Sequence, residues 1–230
     1  MTIRCFDFAA TCSGFPDDDQ MALRSERHCV AVAIQETLKR HKIQIRGFSK
    51  IFIDFEPRTE GGLRVVCDAI GVMWISWPFN CGEYFSAEPE RRIQLWGMSC
   101  IAAIQELFRV RHLPTELLNQ ALSEVQSANF QAEPTIGKKL RSPDKRRWAC
   151  LSYKVSLNDC TVFLAITERA GKTILKEVVT KQPPVVGVVL WPSDSFVKWI
   201  SNDVVQVTLK VSHKETIVQN FVISTCSAEA

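Results

Sequence analysis

The apolar residues of this chain change period near residue 131, and that change limits the folds open to it more than any single motif does. Before it, they recur at helical spacing: Leu23, Val30, Ile34 and Leu38 in one segment, then Ile93, Trp96, Cys100, Ile104 and Leu107 in another. After it come short β-rich runs at 148–155, 161–167, 173–180, 185–190, 204–211 and 216–223. Turn formers separate these runs, among them Leu157-Asn158-Asp159, Arg169-Ala170-Gly171 and Gln182-Pro183-Pro184. The pattern predicts an α+β protein. A helix-meander-helix-helix half is expected over residues 1–133, followed by a β-rich antiparallel half over 134–230 that opens on a basic linker. Spacing alone leaves open whether the halves share one core.

Within the first half, Asp17-Asp18-Asp19 supplies an N-cap candidate and negative charge for a helix dipole. The helix is expected over 20–41, with Lys39, Arg40 and Lys42 at its end. Segments 49–56, 63–67 and 69–77 read as three strands, Glu60-Gly61-Gly62 forming the first turn, and their closeness suggests an antiparallel meander. Ser86 and Pro89 open the next helix, and Pro114-Thr115 end it and cap a third that runs to Asn129. Segment 195–200 reads either as a helical turn or as the start of a strand.

A composition of 46% hydrophobic and 23% charged residues argues against disorder. No apolar run approaches the roughly 20 residues of a membrane helix. The N-terminus lacks the apolar core of a signal peptide, so no membrane association is expected. Nine cysteines, odd in number and irregularly spaced, fit reduced thiols in a cytoplasmic protein better than a disulfide framework. Charge is uneven: residues 1–136 hold 14 Lys and Arg against 17 Asp and Glu, whereas 137–230 hold 14 against 8.

No Gly-rich phosphate loop, paired CxxC, HExxH or GxSxG occurs, so no catalytic residue, metal ligand or cofactor is assigned. His28 and Cys29 are adjacent, but neighbours on a helix point about 100° apart and make a poor dyad. The four histidines are scattered. Asp54 and Glu56 share one face of their strand because side chains alternate, and Asp68 on the next strand is expected across from them, the nearest approach to a carboxylate site. Lys138, Lys139, Arg141, Lys145, Arg146 and Arg147 precede Trp148, a cation-plus-aromatic pattern that suits nucleic acid or an acidic protein. Trp191 and Trp199 fall at loop edges, where aromatic residues anchor interfaces.

The order of these parts resembles the stand-alone cytosolic immunity proteins that bacteria make against polymorphic or contact-delivered toxins. The parts in question are the helix with a basic end, the segment Phe48-Ser-Lys-Ile-Phe-Ile-Asp-Phe-Glu, the capped amphipathic helix, and a β-rich half containing Trp199-Ile-Ser-Asn-Asp-Val. The resemblance is one of architecture and transfers no site residues, and a net charge of +3 departs from the acidic habit of such proteins. It implies a non-enzymatic inhibitor that occludes a cognate toxin domain. Lys138, Lys139, Arg141, Lys145, Arg146 and Arg147 would steer that partner, and Trp191 and Trp199 would anchor it. The alternatives are an enzyme with a carboxylate or cysteine site, and a nucleic-acid-binding protein using residues 138–148.

Overall fold

The computed structural model describes residues 5–10, 17–45, 47–58, 60–69, 71–183, 196–210 and 215–223. The chain forms two compact units, residues 1–132 and 133–230. Each builds its own sheet structure, and the α+β class holds.

The first unit runs β1 (Cys5–Ala10), α1 (Asp17–Arg40), β2 (Lys50–Glu56), β3 (Arg64–Ala69), β4 (Val72–Pro78), α2 (Cys81–Ser86), α3 (Pro89–Val110) and α4 (Glu116–Ser127). Its sheet has the order β1-β2-β4-β3. The expected antiparallel meander is not what forms. β2 pairs in parallel with both β1 and β4, and β3 lies outside β4 as an antiparallel edge. Alternation predicts a strand but says nothing about its partner. Here the crossover through α1 carries the chain from β1 to a parallel neighbour, as such a helical connection must.

Alternation does determine the faces. Ile51, Ile53 and Phe55 of β2 and Met73 and Ile75 of β4 are buried. On α1, Leu23, Val30, Ile34 and Leu38 form the buried stripe that their spacing predicts. Trp96 of α3 brings its ring to 4.4 Å from that of Phe55 and 5.0 Å from that of Phe79, so an aromatic cluster joins helix to sheet.

The three long helices end in the same way. Ile43 N–H donates to Leu38, Leu113 N–H to Phe108 and Phe130 N–H to Val125. Lys42, His112 and Asn129 take positive φ just before those donors. This is the left-handed exit that satisfies otherwise orphaned helix carbonyls. The beginnings follow the sequence less closely. α1 starts at Asp17, so the acidic triplet lies inside its first turn, and Thr115 caps α4 by position without a side-chain bond. The Ser86 hydroxyl donates to the Glu83 carbonyl and closes α2 instead of opening α3.

Two features of this core constrain substitution. Gly97 faces Phe130, whose ring carbons would lie 2.3 Å from an added Cβ. Glu26, only 6% exposed on the buried stripe of α1, accepts from the Tyr84 hydroxyl at 2.5 Å and pairs with Arg92 at 2.8 Å. One carboxylate therefore ties α1 to α2 and α3. Burial pushes the Tyr84 hydroxyl well above its ordinary pKa, and the bond to Glu26 adds to that, so it stays a neutral donor.

The second unit contains β5 (Thr135–Arg141), β6 (Arg147–Val155), β7 (Cys160–Glu168) and β8 (Thr173–Gln182) as one antiparallel sheet in sequence order. A second antiparallel sheet of order β11-β10-β9 follows, made by β9 (Phe196–Trp199), β10 (Val204–Lys210) and β11 (Thr216–Val222). Val162, Leu164 and Ile166 of β7 and Val205, Val207 and Leu209 of β10 are buried at every second position. Segment 196–199 resolves as a strand, and the expected run at 185–190 lies outside the described residues. The segment expected as a basic linker is strand β5, which pairs with β6 around a register shift between Ile136 and Leu140. Only Ile136 of β5 is buried, so its polarity conceals the strand.

Two outcomes are expected. Gly97→Ala should destabilise the protein by about 1–3 kcal/mol, because the fully packed Phe130 ring must move. Glu26→Ala should cost about 3–5 kcal/mol by leaving Arg92 without its partner. Urea unfolding followed by far-ultraviolet circular dichroism measures both.

Candidate partner-binding surface

Ser142, buried in the turn between β5 and β6, organises the basic segment. Its hydroxyl accepts from Arg147 N–H at 3.0 Å and donates to Asp144 Oδ1 at 2.6 Å, and the same Asp144 oxygen accepts from Arg146 N–H at 3.1 Å. Ser142 N–H also donates to the Arg147 carbonyl, and Lys145 adopts positive φ to complete the turn. These bonds hold the Asp144 carboxyl below its usual range, first through Ser142 and then through Arg146 N–H, with the charges of Arg147 and Arg146 adding to the effect.

A second turn lies alongside. Gly171, at φ 88°, closes the connection from β7 to β8, and Arg169 N–H donates to the Arg146 carbonyl at 3.0 Å. The two turns are thereby joined through main chain. They bound a groove of about 650 Å³ with cationic side chains from Arg141, Lys145, Arg146, Arg147 and Arg169. Asp144 and Glu168 are the acids in its wall.

These cations are not equivalent. Arg147 pairs with Asp203 at 2.9 Å and also donates to the Asn202 carbonyl, which fixes it to the loop before β10. Arg141 sits with its guanidinium carbon 5.4 Å from the centre of the Trp148 ring and donates to the Lys145 carbonyl. The charged ends of Lys145, Arg146 and Arg169 have no carboxylate oxygen within 4 Å among the described residues. Lys138 and Lys139 lie apart from the groove wall, in the stretch of β5 that bulges between Ile136 and Leu140.

Of the sequence candidates, then, Arg141, Lys145, Arg146 and Arg147 come together, while Lys138 and Lys139 occupy a separate bulge. Trp199 is half-buried and donates its indole N–H to the Leu140 carbonyl at 3.1 Å, which gives it a structural bond within the second unit. Trp191 lies outside the described residues. Arg169 is the groove residue that sequence reading missed. Its signal was the Arg169-Ala170-Gly171 turn, because β6–β7 pairing places that turn beside residue 146.

The carboxylate candidates separate. Glu56 pairs with Arg58 at 2.8 Å and with Arg64, and its carboxyl is held low by the Ser76 hydroxyl above all. Asp54 and Glu56 face away from the buried Ile53 and Phe55, as expected. Asp68 does not join them. The register shift between Val65 and Cys67 places it opposite the buried Met73, and it pairs with Arg111 just beyond α3. One extra residue in an edge strand reverses the face of everything after it, so these acids lie on opposite faces of the sheet.

Cys29, Cys67, Cys81, Cys100, Cys150 and Cys160 are free thiols. Burial pushes Cys29 up to about 12 and Cys160 up to about 11, and it raises Cys100 as well, so none of these three is a thiolate at neutral pH. Cys29 donates to the Glu26 carbonyl at 3.1 Å and serves helix packing. Among the described residues no three His, Cys, Asp or Glu side chains gather at a metal-binding distance, and no helix is long and apolar enough to cross a membrane.

Comparison with known proteins adds no assignment to this geometry: no protein-family model, no curated protein and no solved structure matches the chain.

The lowered carboxyls carry a pH signature. Asp144 and Glu56 have folded values below their unfolded ones, so their stabilisation is complete above the ordinary carboxylate range and is lost as pH falls through the depressed values. Unfolding midpoints in urea should be level from about pH 7 to 5 and fall below about pH 4. Asp144→Asn should show a lower midpoint than wild type at pH 7, with the gap narrowing in acid.

Proposed function

We propose that the protein is a non-enzymatic binding protein of the cytoplasm, an immunity-type inhibitor that neutralises a cognate toxin domain by covering it. The observation that carries this reading is the cationic groove of the second unit. Five cations against two wall acids, on a fixed backbone, steer an acidic protein and set the orientation in which it docks. An inhibitor of this kind needs about 800 Å² of complementary surface and no chemistry of its own. The +3 net charge agrees with an acidic target rather than a basic one.

Nucleic acid is the second reading, since the same cations would meet phosphates. Trp148, the aromatic residue of that segment, is half-buried with Arg141 over its ring, so a base would have to compete with that guanidinium for the face it covers. The protein reading is preferred for that reason.

Co-expression with the product of the adjacent gene tests the proposal. The expected result is a stoichiometric complex on size exclusion and an association rate that falls steeply with added salt. A monodisperse protein that never captures that product overturns it. A log–log salt slope for oligonucleotide binding that tracks several phosphates would support the nucleic-acid reading instead.

A further inference from the structure

We infer that the groove between the β5–β6 and β7–β8 turns is an acidic-peptide site: it receives a segment of a partner protein that carries neighbouring carboxylates, with Arg146 and Arg169 as the principal contacts. This rests on the binding role proposed above and names the part of the surface that performs it.

Three observations support it. First, the contact residues come from two turns that share a main-chain hydrogen bond, Arg169 N–H to the Arg146 carbonyl. Their backbones are held relative to each other before any ligand arrives, which lowers the entropic cost of binding. Second, the cations divide by role. Arg147 is bound to Asp203, and Arg141 is laid on Trp148. The charged ends of Arg146, Arg169 and Lys145 have no carboxylate oxygen within 4 Å among the described residues, and all three residues are exposed to solvent. Guanidinium groups offer paired N–H donors that match a carboxylate.

Third, the wall is mixed in sign. Asp144 turns inward to Ser142 and Arg146 N–H, whereas Glu168 lines the groove beside the arginines. An acid at that position accepts hydrogen bonds from the main-chain amides of a peptide, donors that a phosphodiester backbone does not offer. The cavity of about 650 Å³ lies within the range of ligand clefts and suits a few side chains of an extended segment.

The test uses the full-length protein, isothermal titration at low salt, and a short acetylated glutamate-rich peptide as probe. Inorganic phosphate and a thymidine oligonucleotide of equal charge serve as comparators. Arg146→Glu/Arg169→Glu should weaken peptide binding by about tenfold or more, because two charge-assisted contacts become repulsive. Lys138→Glu/Lys139→Glu makes the same change of net charge outside the groove and should weaken it by less than about threefold. Both groove side chains are exposed, and Arg146 and Arg169 enter the turn bonds through their main chain, so a melting curve like wild type is expected. Arg146→Gln/Arg169→Gln, expected to give an intermediate loss, replaces the reversed pair if that pair melts early.

Equal losses from the two double reversals would mean a diffuse field rather than a site and would overturn the inference. So would tighter binding of the oligonucleotide or of phosphate than of the peptide, or no peptide binding by the wild type. A protein that binds the peptide but ignores the product of the adjacent gene keeps the groove and loses the proposed function. One that binds that product equally well with Arg146 and Arg169 reversed keeps the function and loses the groove.

Discussion

A buried hydroxyl closes the turn between β5 and β6, and the charged surface of the second unit depends on it. Ser142 is 3% exposed, holds Arg147 N–H and binds the carboxylate that in turn holds Arg146 N–H. A polar group that deep must be satisfied, and a turn arranged around it has few alternatives. Closure sets the register in which Arg141 faces Trp148 across the hairpin, and the guanidinium then lies over the indole. It also aligns β6 so that the turn beyond β7 arrives beside residue 146. Like charges repel, and the Ser142–Asp144 bonds together with the main-chain bond between the two turns keep these cations in one place.

The first unit handles its polar groups in the opposite way. Glu26 occupies a position on the apolar stripe of α1 where a hydrophobic residue would satisfy the pattern, and it is tolerated because Tyr84 and Arg92 reach it from two other helices. Arg111 performs a similar service at the far end of α3, pairing with Asp68 while its guanidinium lies 5.9 Å from the Phe48 ring. These charges serve cohesion. Lys145, Arg146 and Arg169 of the groove are exposed instead, and this contrast is why the binding role is assigned to the second unit.

Much of the architecture was legible in the residues. Helical periodicity located α1, α3 and α4 because a buried stripe requires it, and alternation located β2, β4, β7 and β10 because one face of each is covered. Strand partnership was not legible. Ile51-Phe52-Ile53 pairs equally well with a parallel or an antiparallel neighbour, and only the crossover through α1 makes β2 a central parallel strand. β5 was hidden because its exposed, bulged backbone carries lysines where a covered strand would carry valines. Asp68 was misplaced by one inserted residue near Val66, a shift that no local pattern signals.

The sequence by itself determined the long helices and the covered strands, though not β1, α2 or β5, and it determined which faces of those elements are apolar and that an excess of positive charge lies in the second half. These are properties of neighbouring residues, read at periods of 3.6 and 2. Tertiary structure decided where that charge acts. Arg146 and Arg169 are 23 residues apart and meet because the antiparallel strands β6 and β7 fold back on one another. Asp54 and Asp68 are 14 residues apart, and a bulge places them on opposite faces of their sheet. In both cases strand register, a long-range property, governs which charges share a site.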